Sequence, residues 1–247
     1  MSKELERLQK RIANSGYTSR RKAETLIQEG KVQVNGVTVT ELGTKVRPSD
    51  EVSVEGIPLE LEDKLYILFY KPAQVITSVS DDRGRKVVTD YFDDLETRIY
   101  PVGRLDYDTS GLLLLTNDGA FTHLMTHPRF KIPKTYVAKI EGYILRDQVK
   151  ALEKGIMLED GLTQPAKLKV KKQNKEKNSS LVEITITEGR NRQVRRMFEH
   201  FGFNVQKLSR VSFGPLTLKG LGAGEGRVLS PHEVKSLRQL AESGTNQ

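Results

Sequence analysis

Apolar residues recur along this chain at two different spacings, and the change of spacing divides it. Near the N-terminus Leu5, Leu8, Ile12 and Ala13 fall at helical intervals, and Gly16 ends that segment. Thr18 or Ser19 is placed to cap a second helix, with Ala23, Leu26 and Ile27 on its buried side and Gly30 past its end. Alternation then takes over. Lys31–Val34, the pair Asn35-Gly36 and Val37–Val39 read as a hairpin with a two-residue turn, and Val46 with Glu51–Val54 completes a small sheet. A polar stretch, Glu60–Lys64, follows. The expected organisation is a compact unit over 1–61, a linker over 62–65, a larger domain over 66–242 and a flexible tail over 243–247.

The larger domain reads mostly as strands. Leu65–Tyr70 is apolar and ends in Lys71-Pro72, and Val75–Ser78 is a short extended piece. Leu112–Leu115 is apolar throughout, as a strand buried on both faces would be. Lys134–Glu141 alternates, and Lys167–Lys172 with Leu181–Thr187 suggests a hairpin around the polar run 173–180. Helices are expected at 120–127, 146–154, 190–201 and 231–242, the third carrying Val194, Met197, Phe198 and Phe201 on one stripe. Leu216–Leu218 is a late strand. Many strands with few crossover helices predict an α+β chain: a two-helix unit with a short sheet, then a mixed, largely antiparallel sheet.

Charge adds a direction. The 247 residues carry a formal net charge of +8, which favours a polyanionic partner, because phosphate contacts release counterions. With no cysteine there is no disulfide, thiolate metal site or cysteine nucleophile. His123 and His127 are four apart but have no carboxylate at a zinc-enzyme spacing, so no metal is expected. The start, MSKELERLQK, lacks an apolar signal region, and no run approaches the roughly 20 apolar residues of a membrane span. The chain is expected to be cytoplasmic and monomeric.

Two segments carry candidate chemistry. Residues 103–119 read GRLDYDTSGLLLLTNDG, so Asp106 and Asp108 stand in a polar loop before a rigid strand, with Arg104 close by. Such a loop can mount a reactive carboxylate or merely form a turn, and spacing alone leaves both readings open. Residues 188–197 read EGRNRQVRRM. The apolar stripe places Arg192, Arg195, Arg196 and Glu199 on the opposite side, where one arginine can hold a carboxylate ionised and others can grip phosphates. In the N-terminal unit Arg7, Lys10 and Arg11 share a helix face, and Ser19, Arg20, Arg21 and Lys22 open the next helix, whose free N–H groups suit phosphate.

The order Arg7-Leu8-Gln9-Lys10, Gly16-Tyr17-Thr18-Ser19-Arg20-Arg21 and Leu26–Gly36 resembles the S4-like RNA-binding module of a small-subunit ribosomal protein. The GRLD loop with its Leu-rich strand, Lys134-Thr135-Tyr136-Val137, the GRNRQVRRM segment, Lys71-Pro72 and the stretch 220–233 together resemble the RsuA/RluB-type ribosomal RNA pseudouridine synthases, closer to the large-subunit (RluB) type. That resemblance implies a cofactor-free isomerisation of uridine in 23S rather than 16S rRNA. It implies Asp106 as nucleophile, Tyr136 stacked on the target base, Arg195 paired with Asp106, Leu208 lining the pocket, and Arg104 filling the gap left by the extruded base. Arg192 and Arg196 are then substrate contacts, and Asp108 shapes the loop. A non-catalytic RNA-binding protein would leave the second domain without a task. An RNA methyltransferase would need a glycine-rich loop after an early strand, and the glycine-rich stretch here is late, at Gly220–Gly226.

Overall fold

The computed structural model describes residues 5–244, so the last part of the expected tail, 245–247, lies outside the described residues. The described residues form two compact units: those up to 65 with 95–98 and 117–119, and the remainder.

The first unit runs β1 (Glu6–Arg7), α1 (Leu8–Asn14), α2 (Arg20–Gln28), β2 (Val32–Val34), β3 (Val37–Thr38), β4 (Lys45–Val46), β5 (Val52–Val54) and β6 (Ile57–Pro58). Strands β3-β2-β5-β6 form one antiparallel sheet, and β1 pairs with β4. Leu8, Ile12, Ala23, Ile27, Val32, Val46 and Val54 make its core. Ser19 is the cap of α2, accepting a hydrogen bond from the Lys22 N–H at 3.2 Å. Asn35 and Gly36 both take positive φ, as the tight turn between twisted strands requires. One expectation fails here, and the linker stretch is tied down. The first helix starts only at Leu8, so Leu5 lies before it and is exposed. Residues 62–65 are not free of contacts: the Asn117 side chain donates to the Asp63 carbonyl at 2.9 Å and accepts from the Leu65 N–H at 2.9 Å.

The second unit runs β7 (Tyr66–Lys71), β8 (Tyr100–Val102), β9 (Thr109–Thr116), α3 (Gly119–Thr126), β10 (Lys134–Glu141), α4 (Arg146–Lys154), β11 (Met157–Leu158), β12 (Gly161–Leu162), β13 (Lys167–Asn174), β14 (Ser179–Ile186), α5 (Gln193–Glu199), β15 (Val205–Phe213), β16 (Leu216–Thr217), β17 (Gly226–Val228) and α6 (Pro231–Gly244). The main sheet has the order β13-β14-β10-β15-β9-β7-β17, with β8 on β9 and β16 on β15. Among the described residues its pairs are antiparallel except β9 with β15. That one parallel contact brings Thr109–Gly111 against Leu208–Arg210 and so fixes where the site forms. Gly111 permits it: its φ is +117°, and a Cβ there would lie 2.2 Å from the Arg210 carbonyl oxygen.

The sheet departs from expectation in its centre. β15, nine residues long, has no clean alternation, because register shifts at Thr135/Tyr136 and Lys139/Ile140 break the pleat against β10. The helix expected over 190–201 begins at Gln193, after Arg192 in a left-handed conformation at φ +46°. Val75–Ser78 forms no strand; a single bridge joins Ile76 to Val87.

Candidate active site

A cavity of about 390 Å³ opens beside the β9–β15 junction. Its walls include Arg104, Asp106, Thr109, Lys134, Tyr136, Arg190, Arg192, Leu208 and Arg210. Asp106 is the one carboxylate among the lining residues, facing five cationic side chains. Arg192 Nη1 stands 3.8 Å from Asp106 Oδ2.

The loop that carries Asp106 is pinned on every side. Thr77 Oγ1 donates to the Leu105 carbonyl at 2.6 Å and accepts from its N–H at 3.3 Å. The Gln74 N–H donates to the Tyr107 carbonyl at 2.6 Å, and the Thr109 N–H closes the turn onto the Asp106 carbonyl at 3.0 Å. Lys71, fully buried, donates to the Thr109 carbonyl at 2.7 Å and the Pro72 carbonyl at 2.9 Å. A reactive carboxylate held by its neighbours' backbone stays in position without being consumed in structural bonds itself. Sequence reasoning assigned no role to Thr77, Gln74 or Lys71. Lys71 had two signals, a lone charge at the end of an apolar strand and its place in the Lys71-Pro72 pair that carries part of the resemblance.

The expected Arg195–Asp106 pair is not formed. Arg195 is buried, on the same side as Val194, Met197 and Phe198 rather than opposite them. Its Nη2 lies 3.2 Å from Asp108 Oδ2 and donates to the Asp108 carbonyl at 3.1 Å, while Nη1 donates to the Val205 carbonyl at 3.1 Å. A guanidinium can be buried here because two carbonyls and a carboxylate receive its fork. Arg195 therefore ties the start of β15 to the loop before β9 and stands behind the cavity wall. Arg196, expected at the substrate, lies outside the lining. It is held bidentately by Asp160 at 2.9 and 3.0 Å. Tyr136 and Leu208 line the cavity as expected, and so do Arg104, which is exposed, and Arg192.

Two lysines near Asp106 are electrostatically strained. Burial pushes Lys71 down to about 8, against the opposing pull of Asp106 and Asp108. Burial, helped by the nearby Arg210 charge, pushes Lys134 down to about 8 as well, with Glu188 opposing. Arg210 is itself buried; its Nε donates to the Leu112 carbonyl at 2.7 Å, and its Nη2 has no hydrogen-bond partner among the described residues. The site thus loses positive charge as pH rises through about 8. Folding responds in the opposite sense: between about 8 and 10.5 the unfolded chain binds more protons at these lysines, so their contribution to stability rises. We expect kcat/KM to fall above pH 8 with no loss of thermal stability over the same range. The fall should be shallower in Lys134→Met, and an unchanged limb in that variant would remove Lys134 from its cause.

In the first unit the expected basic face divides. Arg20, Arg21 and Lys22 are exposed at the start of α2, and Arg7 is exposed beside α1. Arg11 is buried instead, paired with Glu6 at 2.5 Å and donating to the Arg47 carbonyl at 3.0 Å, so it serves the fold and leaves the surface patch. Lys10 is half-buried.

A basic cavity around one carboxylate, on a chain with a separate basic helix pair, suits an enzyme that acts on RNA. Comparison with known proteins agrees. The sequence model described as "S4 domain" matches residues 6–52, and that described as "RNA pseudouridylate synthase" matches residues 65–200. The chain belongs to the RNA pseudouridylate synthase family. It is 57% identical over 242 residues to the ribosomal large subunit pseudouridine synthase B of Bacillus subtilis, covering 98% of this chain and 99% of that one. It is 42% identical to an uncharacterized RNA pseudouridine synthase of Aquifex aeolicus, over 94% of this chain and 93% of the relative. A crystal structure of a pseudouridylate synthase superposes with a TM-score of 0.68 at 32% identity, covering 94% of this chain and 99% of that one. Among the described residues no helix is long and apolar enough to cross a membrane.

Proposed function

We propose that the chain isomerises a uridine of large-subunit ribosomal RNA to pseudouridine, with Asp106 as the nucleophile. The observation that carries this reading is the position of Asp106, the single lining carboxylate, in a cavity shared with Tyr136 and walled by cations. The cavity volume of about 390 Å³ falls within the range of sites that enclose a small ligand, here an extruded nucleotide. The reaction breaks the bond from ribose to the base nitrogen, rotates the uracil and rejoins it through carbon, so it consumes no electrons. Tyr136 offers its ring to the base, and Leu208 closes the apolar side. Arg192 is the cation beside Asp106, at 3.8 Å, in the place that sequence reasoning gave to Arg195. Arg104 is exposed at the mouth, where it can fill the stack the base has left. Arg7, Lys10, Ser19, Arg20, Arg21 and Lys22 contact the RNA backbone from the S4 domain. The likeness to the B. subtilis large-subunit enzyme favours 23S over 16S rRNA. The enzyme works as a cytoplasmic monomer.

Mapping pseudouridine across both ribosomal RNAs in a deletion strain tests the substrate. Loss of one large-subunit site, restored by the wild-type gene and not by an Asp106→Asn allele, is expected. Loss confined to the small-subunit RNA would overturn the substrate assignment.

A further inference from the structure

The sheet shows the cavity only one of its faces. Tyr136, Ile186 and Leu208 point into the site, so by alternation their chain neighbours point out of the opposite side. The register there aligns Lys172 with Leu181, Leu181 with Lys139, and Lys139 with Lys207, in one row across four strands. The next row is Lys169, Glu183, Val137 and Ser209, and the third is Lys167, Thr185, Thr135 and Ser212. A bulge between Val170 and Lys172 moves Lys172 onto this face. Lys139, Lys167, Lys169, Lys172 and Lys207 are all exposed. Two carboxylates share the face. Glu183 is 3.3 Å from Lys171, and Glu141 accepts from Asn204 at 3.2 Å and Gln206 at 2.8 Å.

Lysines on the edge strand β13 are explained by protection of an open sheet edge from pairing with another chain. Lys139 and Lys207 are not. They stand on the interior strands β10 and β15, directly opposite one another, an arrangement that repels. A repulsive pair in the middle of an exposed face is compensated when a polyanion lies on it. Three strand spacings separate Lys172 from Lys207, about 14 Å, enough to follow several phosphates of a folded RNA strand.

We propose that this lysine-studded face, on the side of the sheet away from the cavity, is a second RNA-docking surface. It grips phosphates of folded RNA remote from the target uridine. The inference rests on the RNA-modifying reading and adds that the enzyme recognises an extended RNA, whose one part enters the cavity while another wraps behind the sheet.

The test compares the wild type with a Lys139→Gln, Lys169→Gln, Lys172→Gln, Lys207→Gln variant on two RNAs: the full-length ribosomal RNA transcript and a short stem-loop containing the mapped uridine. Expected is a rise of about tenfold in KM on the long transcript, with kcat unchanged and no change on the stem-loop. The salt slope of binding to the long RNA should fall by about 3, since four phosphate contacts each contribute somewhat less than one. The matching four Lys→Arg substitutions, which keep the charge, should retain wild-type KM. Equal losses on both RNAs, or no change on either, would overturn the proposal. Failure of the wild type to modify the long transcript would instead count against the function proposed above, and the salt slope still reads the docking face without catalysis.

Discussion

Asp106→Asn is expected to lower turnover by at least about 10⁴-fold while leaving RNA affinity at the parent level or slightly above it. The amide is nearly isosteric, and the bonds that shape the loop run to the backbone of residues 105, 106, 107 and 109 and to Asp108, not to the Asp106 carboxylate. Among the described residues, only the Arg192 contact at 3.8 Å involves that carboxylate. Removing one negative charge from a wall of five cations does not weaken phosphate binding. Single-turnover conversion of a labelled transcript, with a filter-binding titration beside it, separates the two quantities. Retention of more than about one hundredth of the wild-type rate would place the nucleophile elsewhere.

Arg195→Met is expected to cost about 1–3 kcal/mol of stability, because it leaves two backbone carbonyls without their donor, while the exposed Asp108 keeps its contact with Arg192. The Val205 and Asp108 carbonyls lose their donor, and Asp108 loses its closest partner. Arg195→Lys should recover little of this, since one ammonium cannot span both β15 and the loop before β9. At a temperature where the variants remain folded, kcat should fall sharply and KM for RNA should hold, because Arg195 positions the Asp106 loop without lining the cavity. A KM defect with normal kcat would mean that Arg195 meets substrate directly. The melting midpoint and the kcat-against-KM split together distinguish the two.

Much of this molecule is legible in its residues. Ser19 caps its helix, Asn35-Gly36 turns its hairpin, and the all-apolar Leu112–Leu115 is buried on both faces, because in each case local chemistry and tertiary demand agree. Asp106, Tyr136 and Leu208, from three distant stretches, do meet in one cavity. What escaped the reading was decided by partners far away in sequence. Val205–Phe213 hides as a strand because its outward positions include Lys207, Ser209 and Ser212 and its pairing is bulged. Arg195 and Arg11 look like surface cations, yet both are buried, each held by carbonyl and carboxylate groups that no periodicity displays. Lys71 and Thr77 matter through bonds to Thr109 and Leu105, visible only once the chain has folded back.

The parallel contact between Thr109–Gly111 and Leu208–Arg210 has a consequence for biogenesis. It joins segments about a hundred residues apart, a closure whose entropy must be met before either segment gains from it, so it belongs late in folding. A nascent chain emerging from the ribosome can complete its S4 domain and its first long hairpin early. It cannot assemble the cavity until β15 has been synthesised and inserted between β9 and β10. The ability to hold RNA therefore arises in this chain before the ability to change it.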